Sequence, residues 1–367
     1  MHDTIKDGME KTACSVGPDL DRRRQSNQPK NQSAYGRSRK YAGGQSSVIV
    51  TTDNAVDIFR APSANLTMTA CQDRPHVVAP FEDSGGLSDS SSFPVFATAP
   101  YPTDHLHAGE VRLWFADVDA IADASLALAY RQLMAPDERV REARLRFQRD
   151  RDVFLMARAL VRTTLSRFAS VAPEDWRFEF NHEGKPSVAA CHGDARNLCF
   201  NVSHTRSLVV MALGRACTLG VDVEMRSPQV DLDVAEHFFS ERETAALRRL
   251  DASDRLERFV ELWTLKESYV KARGMGLSMP LDGFSFDLDT PGRIGLSVES
   301  GGDDVAERWR FVQFEAGPEH RVALCVERTE LPLLLRLSRC VPLRGEWPAE
   351  WLTTRQCADV VHSSNRN

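Results

Sequence analysis

Two short stretches hold the residues best placed to do chemistry. Residues 218–224 read as a strand. Alternation turns Val221 and Val223 to one face and sets Asp222 and Glu224 together on the other. Further along, residues 254–273 read as a helix. Leu256, Phe259, Val260, Trp263 and Val270 share one face at helical spacing, with Glu267 in its middle and Lys266 and Lys271 on its edges. A carboxylate inside an apolar stripe is costly to bury unless it is paired or bound to a metal. One reading is an intrahelical ion pair of Glu267 with Lys271, four residues on, although such pairs usually occupy the wet face. Asp-x-Glu alone also fits a solvated strand face. The other reading joins Asp222, Glu224 and Glu267 around a shared cation. Three carboxylates suit Mg²⁺, which prefers oxygen ligands and keeps few protein contacts beside phosphate and water. Lysines flanking the third carboxylate then suit a phosphate-bearing substrate.

Elements of two kinds must position these groups. Val111, Leu113 and Phe115 alternate as a strand, and 136–168 reads as one long helix or two abutting ones. Strand-like runs follow at 176–180, 198–203 and 208–213. After the strand at 218–224, Ser240 and Glu243 form a capping box, and the helix over 254–273 closes at Gly274. Strands return at 284–288, 308–314 and 321–327. A strand, a helix and then several strands thus occur twice, which suggests two similar α+β halves. Residues after 345 carry little pattern.

The chain has 367 residues, 42% of them hydrophobic and 27% charged, enough for a large core. Lys plus Arg is 46 and Asp plus Glu is 52, a net charge of −6, which argues against a global nucleic-acid-binding field. The run Arg139, Arg141, Arg144, Arg146, Arg149 and Arg151 is a local basic patch or a solvated helix face. Cys14, Cys71, Cys191, Cys199, Cys217, Cys325, Cys340 and Cys357 are scattered without a C-x-x-C pair and read as reduced thiols. The spacing of Cys191, His192, Cys199 and His204 does not suit a common zinc site. No apolar run marks a signal peptide at the N-terminus, and the most hydrophobic run, 331–337, is too short to span a bilayer. The expectation is a cytoplasmic protein without membrane or nucleic-acid partners. Residues 1–108, polar over 22–47 and 83–92, read as a disordered leader with room for one strand at 47–60.

Leu219-Gly220-Val221-Asp222-Val223-Glu224, followed by Trp263-Thr264-Leu265-Lys266-Glu267-Ser268-Tyr269-Val270-Lys271, resembles the GVD-x-E and W-x-x-KE-x-x-x-K signature of the 4'-phosphopantetheinyl transferases, nearer to their Sfp-type branch. Gly184-Lys185-Pro186, Asn201-Val202-Ser203-His204, Phe238-Phe239-Ser240 and Gly274-Met275-Gly276-Leu277 are similar to further family motifs in the same order, and 137–151 resembles its basic helical region. The likeness covers about residues 109–330.

It implies an α+β fold, a pseudo-twofold pair of similar subdomains with coenzyme A in the cleft between them. The implied division is an irregular leader over 1–108, an N-terminal half over 109–216, a C-terminal half over 217–335 and a tail over 336–367. The implied reaction moves 4'-phosphopantetheine from coenzyme A to a serine of an apo acyl or peptidyl carrier protein, releasing adenosine 3',5'-bisphosphate. By the same likeness Asp222, Glu224 and Glu267 would hold Mg²⁺, Glu267 would also be the candidate base, and Lys271 would bind pyrophosphate. His204, with Ser203, would meet a phosphate of coenzyme A. Lys185 would sit near the nucleotide, and Lys266 would contact phosphate or orient Glu267. The family often has a basic residue where this chain has Val153, and Arg151 would take that contact. An acidic carrier domain as partner and a monomeric state complete the expectation. The rival is a non-catalytic binder of coenzyme A or carrier protein, which would have no need of three metal carboxylates.

Overall fold

A computed structural model describes residues 104–121, 123–226, 233–298, 304–349, 352–357 and 360–362, all within the compact unit Gly36–Asn367. The expected leader up to residue 103, with Cys14, Cys71 and the strand at 47–60, lies outside the described residues.

The same chain path is traced twice. The first pass runs β1 (Glu110–Asp117), α1 (Ala124–Leu133), α2 (Pro136–Arg144), α3 (Gln148–Ser166), the hairpin β2 (Phe178–Phe180) and β3 (Pro186–Val188), β4 (Leu198–His204) and β5 (Leu208–Arg215). The second runs β6 (Leu219–Met225), α4 (Asp233–Phe238), α5 (Glu241–Arg248), α6 (Ala252–Arg273), the hairpin β7 (Phe284–Asp287) and β8 (Gly295–Val298), β9 (Trp309–Glu315) and β10 (His320–Glu327). In each pass the last strand lies between the first and the next-to-last, antiparallel to both. The orders are β1-β5-β4 and β6-β10-β9. The doubled strand–helix–strand pattern in the sequence is therefore a doubled topology, and the fold class is α+β as expected.

The layers follow from strand alternation. Val111, Leu113 and Phe115 of β1 share one buried cluster with Val221 and Val223 of β6 and Val322 and Leu324 of β10, so the two sheets face each other. Trp114 and Met211, on the opposite face, pack on Phe154 and Leu160 of α3. Ala323 and Cys325 face the cluster of Phe259, Trp263 and Tyr269 of α6. The order of layers is helix, sheet, sheet, helix.

Local signals set the helix ends. Asp251 caps α6 by accepting from the N–H of Asp254, and Gly274 stops it in the left-handed region at φ 64°. Ser240 and Glu243 form the capping box of α5 as their spacing predicts. The run at 136–168 is two helices, broken at residues 145–147. One expectation changes for α6. Periodicity gives it a single apolar stripe, yet every residue from Phe259 to Val270 is buried. A second roof explains this: Phe238, Phe239, Leu247, Phe284 and Phe286, from α4 to β7, cover the side that a surface helix would show to water.

The chain beyond 335 is also more structured than its pattern suggests. Strand β11 (Leu333–Val341) runs through the expected boundary and pairs in parallel with β1. Strands β12 (Gly345–Pro348) and β14 (Val360–His362) flank β11, while β13 (Leu352–Gln356) pairs with β9 in the other sheet. The stretch drawn as a tail thus adds strands to both sheets. Strands β12, β13 and β14 are short, and the longer β11 mixes Arg336, Ser338 and Arg339 among its apolar residues, so they show little alternation. Residues 104–108, drawn with the leader, lie on the body. Asp104 pairs with Arg167, and Leu106 packs against the first helical core. Among the described residues no helix is long and apolar enough to cross a membrane.

Gly220 sets how closely β6 meets α6. A Cβ there would lie 2.2 Å from the Ser268 carbonyl oxygen and 2.3 Å from the Ala272 nitrogen, both backbone atoms that no rotamer can move aside. Gly220→Ala must push the strand off the helix. The expected cost is about 1–3 kcal/mol or more in denaturant unfolding, and an unchanged midpoint would show that the two backbones can separate freely.

Candidate functional site

Strand β4 ends the first sheet and β6 ends the second, so two sheet edges meet. Side chains supply the hydrogen bonds that a ladder would have made. The Asn201 side-chain oxygen accepts from the Val221 N–H at 2.8 Å, and the Ser203 hydroxyl accepts from the Val223 N–H at 3.2 Å. Asn201 and Ser203 stand two residues apart and so share a face of β4. Gly220, Asp222 and Glu224 share the face of β6 that α6 covers, as the alternation predicts.

At this seam Lys271 reaches off its helix to the strand. Its Nζ donates to Asp222 Oδ1 at 2.5 Å and to Ser203 Oγ at 2.8 Å. The Ser203 hydroxyl in turn donates to Asp222 Oδ1 at 3.0 Å. With two donors bound and its own proton given, this hydroxyl is saturated. Ser203 stands on β4 and its partners come from β6 and α6, so it fixes all three elements relative to one another.

Asp222 is wholly buried, and its Oδ2 is buried without a hydrogen-bond partner. Burial pushes its carboxyl above the usual range. Lys271 pulls it down, the neighbouring Glu267 carboxylate pushes it further up, and the Ser203 hydrogen bond lowers it. Glu267 and Glu224 are buried as well. Among the described residues no group of three or more His, Cys, Asp or Glu side chains stands arranged around a metal position. The expected three-carboxylate set is therefore not assembled as such. Asp222 and Glu267 do fit a divalent cation: two carboxylates interact there, and one buried anionic oxygen has no donor.

The other expected contacts separate from this cluster. Lys266 is a correction. Its amine has no exposed surface, donates to the Leu281 and Phe284 carbonyls at 2.6 and 2.7 Å, and pairs with Glu243 at 2.7 Å. Burial lowers its pKa and the Glu243 charge raises it. It braces the roof over α6 and has no donor left for a phosphate or for Glu267. Lys185 lies in the turn after β2, and its amine donates to the carbonyls of Leu219 and Ala272, at the start of β6 and the end of α6. Burial holds its pKa down at about 8. Asn181, in the same turn, donates to the Gly274 carbonyl. This turn is thus docked on the end of α6.

His204 is buried at the end of β4, where alternation turns it away from Ser203 toward the side covered by α3. Arg151, in the first turn of α3, donates to the Leu145 carbonyl and so sits at the joint of α2 and α3. Val153 is in the core.

Comparison with known proteins gives the same two halves. The family model described as the 4'-phosphopantetheinyl transferase superfamily matches residues 218–325, and the one described as 4'-phosphopantetheinyl transferase, N-terminal, matches 122–215. The 4'-phosphopantetheinyl transferase Sfp of Bacillus subtilis (strain 168) is 30% identical over 203 residues, which cover 55% of this chain and 86% of that protein. The chain belongs to the 4'-phosphopantetheinyl transferase superfamily. Within this superfamily the Sfp-type branch is the one it resembles. The transferase ffp of Bacillus subtilis is 33% identical, with 48% of this chain and 75% of that protein covered. The transferase HetI of Nostoc sp. (strain PCC 7120 / SAG 25.82 / UTEX 2576) is 32% identical, with 48% and 74% covered.

Two residues that shape the transferase's site had no stated role in the sequence. Asn201 belongs to a recognised motif, but nothing in one sequence shows that its oxygen serves β6. Glu243 reads as a capping residue, and its second role as the counter-charge of Lys266 requires the tertiary fold.

The two lysines of the K-E-x-x-x-K run should therefore behave differently. Lys266→Met leaves Glu243 buried without its cation and should cost about 3–5 kcal/mol in denaturant unfolding. Lys271→Met also removes the cation from a buried carboxylate, but Asp222 is already pushed toward its neutral form and can take up a proton, so this variant should cost less; equal losses would contradict the division of roles. Asp222→Asn tests the buried carboxylate. Because the folded-state pKa of Asp222 lies above its unfolded value, its ionisation lowers stability once pH rises above about 4. The variant should melt no lower than the wild type at pH 7, with the difference shrinking as pH falls toward 4. A variant that melts well below the wild type at pH 7 would show that the Asp222 charge is a net stabiliser.

Proposed function

We propose that this chain transfers 4'-phosphopantetheine from coenzyme A to a serine of an apo acyl or peptidyl carrier protein and releases adenosine 3',5'-bisphosphate. The observation that carries the proposal is the buried Asp222 carboxylate, held by Lys271 and Ser203 on one oxygen, open on the other and flanked by Glu267. Family membership sets the reaction class, and this cluster supplies groups suited to it.

Asp222 and Glu267 would hold Mg²⁺, with Glu224 on the same strand face as the third carboxylate. Bound there, the ion would offset negative charge on the leaving pyrophosphate oxygens. Lys271 would turn part of its donor capacity from Asp222 to the pyrophosphate, acting as a point charge. Glu267 would take the proton of the carrier serine, directly or through a water, as that oxygen bonds to phosphorus and the bond to the nucleotide phosphate breaks. Ser203 would keep Lys271 and Asp222 in register. His204 and Arg151, on the side of α3, would meet phosphates of coenzyme A. Lys185 would support the nucleotide by fixing the turn against the end of α6. An acidic carrier domain, a monomeric enzyme and a cytoplasmic setting belong to the same reading.

Intact-mass spectrometry of an apo carrier protein incubated with this chain, coenzyme A and Mg²⁺ tests it. The carrier should gain one phosphopantetheine on its serine, and EDTA should stop the reaction until Mg²⁺ is restored. Glu267→Gln should slow transfer at least ~100-fold with the melting curve intact. Coenzyme A binding without any mass gain, across several unrelated carriers, would point to a binder instead of a transferase.

A further inference from the structure

A pair of thiols lies outside the carboxylate cluster, at the far end of the same two strands. Cys199 is the second residue of β4, and Cys217 stands two residues before β6. The chain between β5 and β6 turns tightly: Ala216 adopts φ 50°, and its N–H donates to the Asn197 carbonyl at 2.8 Å. That turn folds Cys217 back onto the β4–β5 pair. Gly214 is the cross-strand partner of Cys199, and an ideal Cβ on Gly214 would lie 2.5 Å from the Cys217 sulfur. Directly opposed Cβ positions are about 5 Å apart. The Cys217 sulfur therefore fills the space that a side chain at 214 would occupy, next to the Cys199 side chain and on the same face. The Cys199 thiol donates to the Asn197 carbonyl at 3.5 Å, and neither residue is fully buried.

We propose that Cys199 and Cys217 form a modification site, which a hydroperoxide oxidises to an intramolecular disulfide tying β4 to the link between β5 and β6. The Cys199 thiolate attacks a peroxide oxygen. The O–O bond breaks, Cys199 becomes the sulfenic acid, and hydroxide or alkoxide leaves. The Cys217 sulfur then attacks the Cys199 sulfur. The S–S bond forms, the S–O bond breaks, and the hydroxyl leaves with the Cys217 proton as water. Two thiols are oxidised by two electrons and the peroxide is reduced.

The surroundings favour this order of attack. The Cys217 thiol, backbone N–H donors and the nearby Lys185 amine hold Cys199 well below the ordinary thiol range. The Cys217 thiol moves up, through its bond to Cys199, its burial and the Glu327 charge. Cys199 is thus the attacking sulfur and Cys217 the resolving one. Cys325, the third sulfur near Lys185, is wholly buried and pushed well above the usual range, so it stays a thiol.

The bond would form away from the carboxylates. Cys199 precedes Ser203 by about 13 Å of strand and Cys217 precedes Asp222 by about 17 Å, at ~3.3 Å per residue. The oxidised protein should therefore keep its transferase site while β4 is tied covalently to the link that leads into β6.

The test is a non-reducing digest of the full chain after hydrogen peroxide, read by mass spectrometry beside a dithiothreitol-treated control. The expected product is a Cys199–Cys217 linked peptide that dithiothreitol dissolves, with the melting temperature raised by about 5 °C or more. In Cys217→Ser, Cys199 should instead stop at a sulfenic acid that dimedone labels. Oxidation that begins at the exposed Cys191, Cys199 driven to sulfinic acid without a link, or a link that lowers the melting temperature would each overturn the proposal.

Discussion

At Gly220 the backbones of β6 and α6 approach so closely that even a methyl group would collide with two main-chain atoms. The side chains from these two elements meet only because of that approach. Lys271 can reach Asp222 at 2.5 Å, and Glu267 can act on the same carboxylate, because strand and helix are pressed together one turn away. A larger residue at 220 would move the helix as a rigid rod and shift both α6 groups at once. The glycine of the Gly-Val-Asp run is thus a spacing device for the acidic residue two positions on.

The second constraint lies across the seam. Two sheet edges that met with bare N–H groups would leave buried donors unsatisfied, a costly arrangement. Asn201 and Ser203 meet this need with side-chain oxygens, one residue pair at a time, where a continuous ladder would have merged the sheets. The junction stays narrow, and the Ser203 oxygen that serves the backbone of β6 also holds Lys271. Structural and chemical demands fall on one atom. On the far side of α6 the buried pair Lys266 and Glu243 does purely structural work, tying the helix to the backbone of β7 and to the cap of α5. Two lysines five residues apart therefore have different work because they leave opposite sides of one buried helix.

Much of this was legible in the sequence, for identifiable reasons. Alternation in 218–224 put Asp222 and Glu224 on one face, and the capping box at Ser240 and the stop at Gly274 fixed two helix ends, because these are local rules. The placement of Lys266 was not legible. Its neighbour Glu267 and its own charge suggest a site, whereas the fold surrounds its amine with carbonyls and a carboxylate from 243–284. The strands after 335 were missed because β12, β13 and β14 are short edge strands, and the longer β11 interrupts its leucines with Arg336, Ser338 and Arg339. The bond from Asn201 to Val221 was invisible because it joins segments whose edges meet only after both sheets have formed.

Asp222 carries an unfavourable arrangement and an informative one. A wholly buried carboxylate with an open oxygen and a second carboxylate beside it loses stability that a neutral residue would recover. Lys271 offsets only part of that cost, since it binds the other oxygen. Selection for stability alone would have replaced Asp222 with asparagine or an apolar residue. The charge makes physical sense where a cation or a phosphate-bound metal completes it, and then the same burial that opposes ionisation strengthens the completed interaction. The local frustration at Asp222 and the chemistry proposed for it are two consequences of one low-dielectric pocket at the seam.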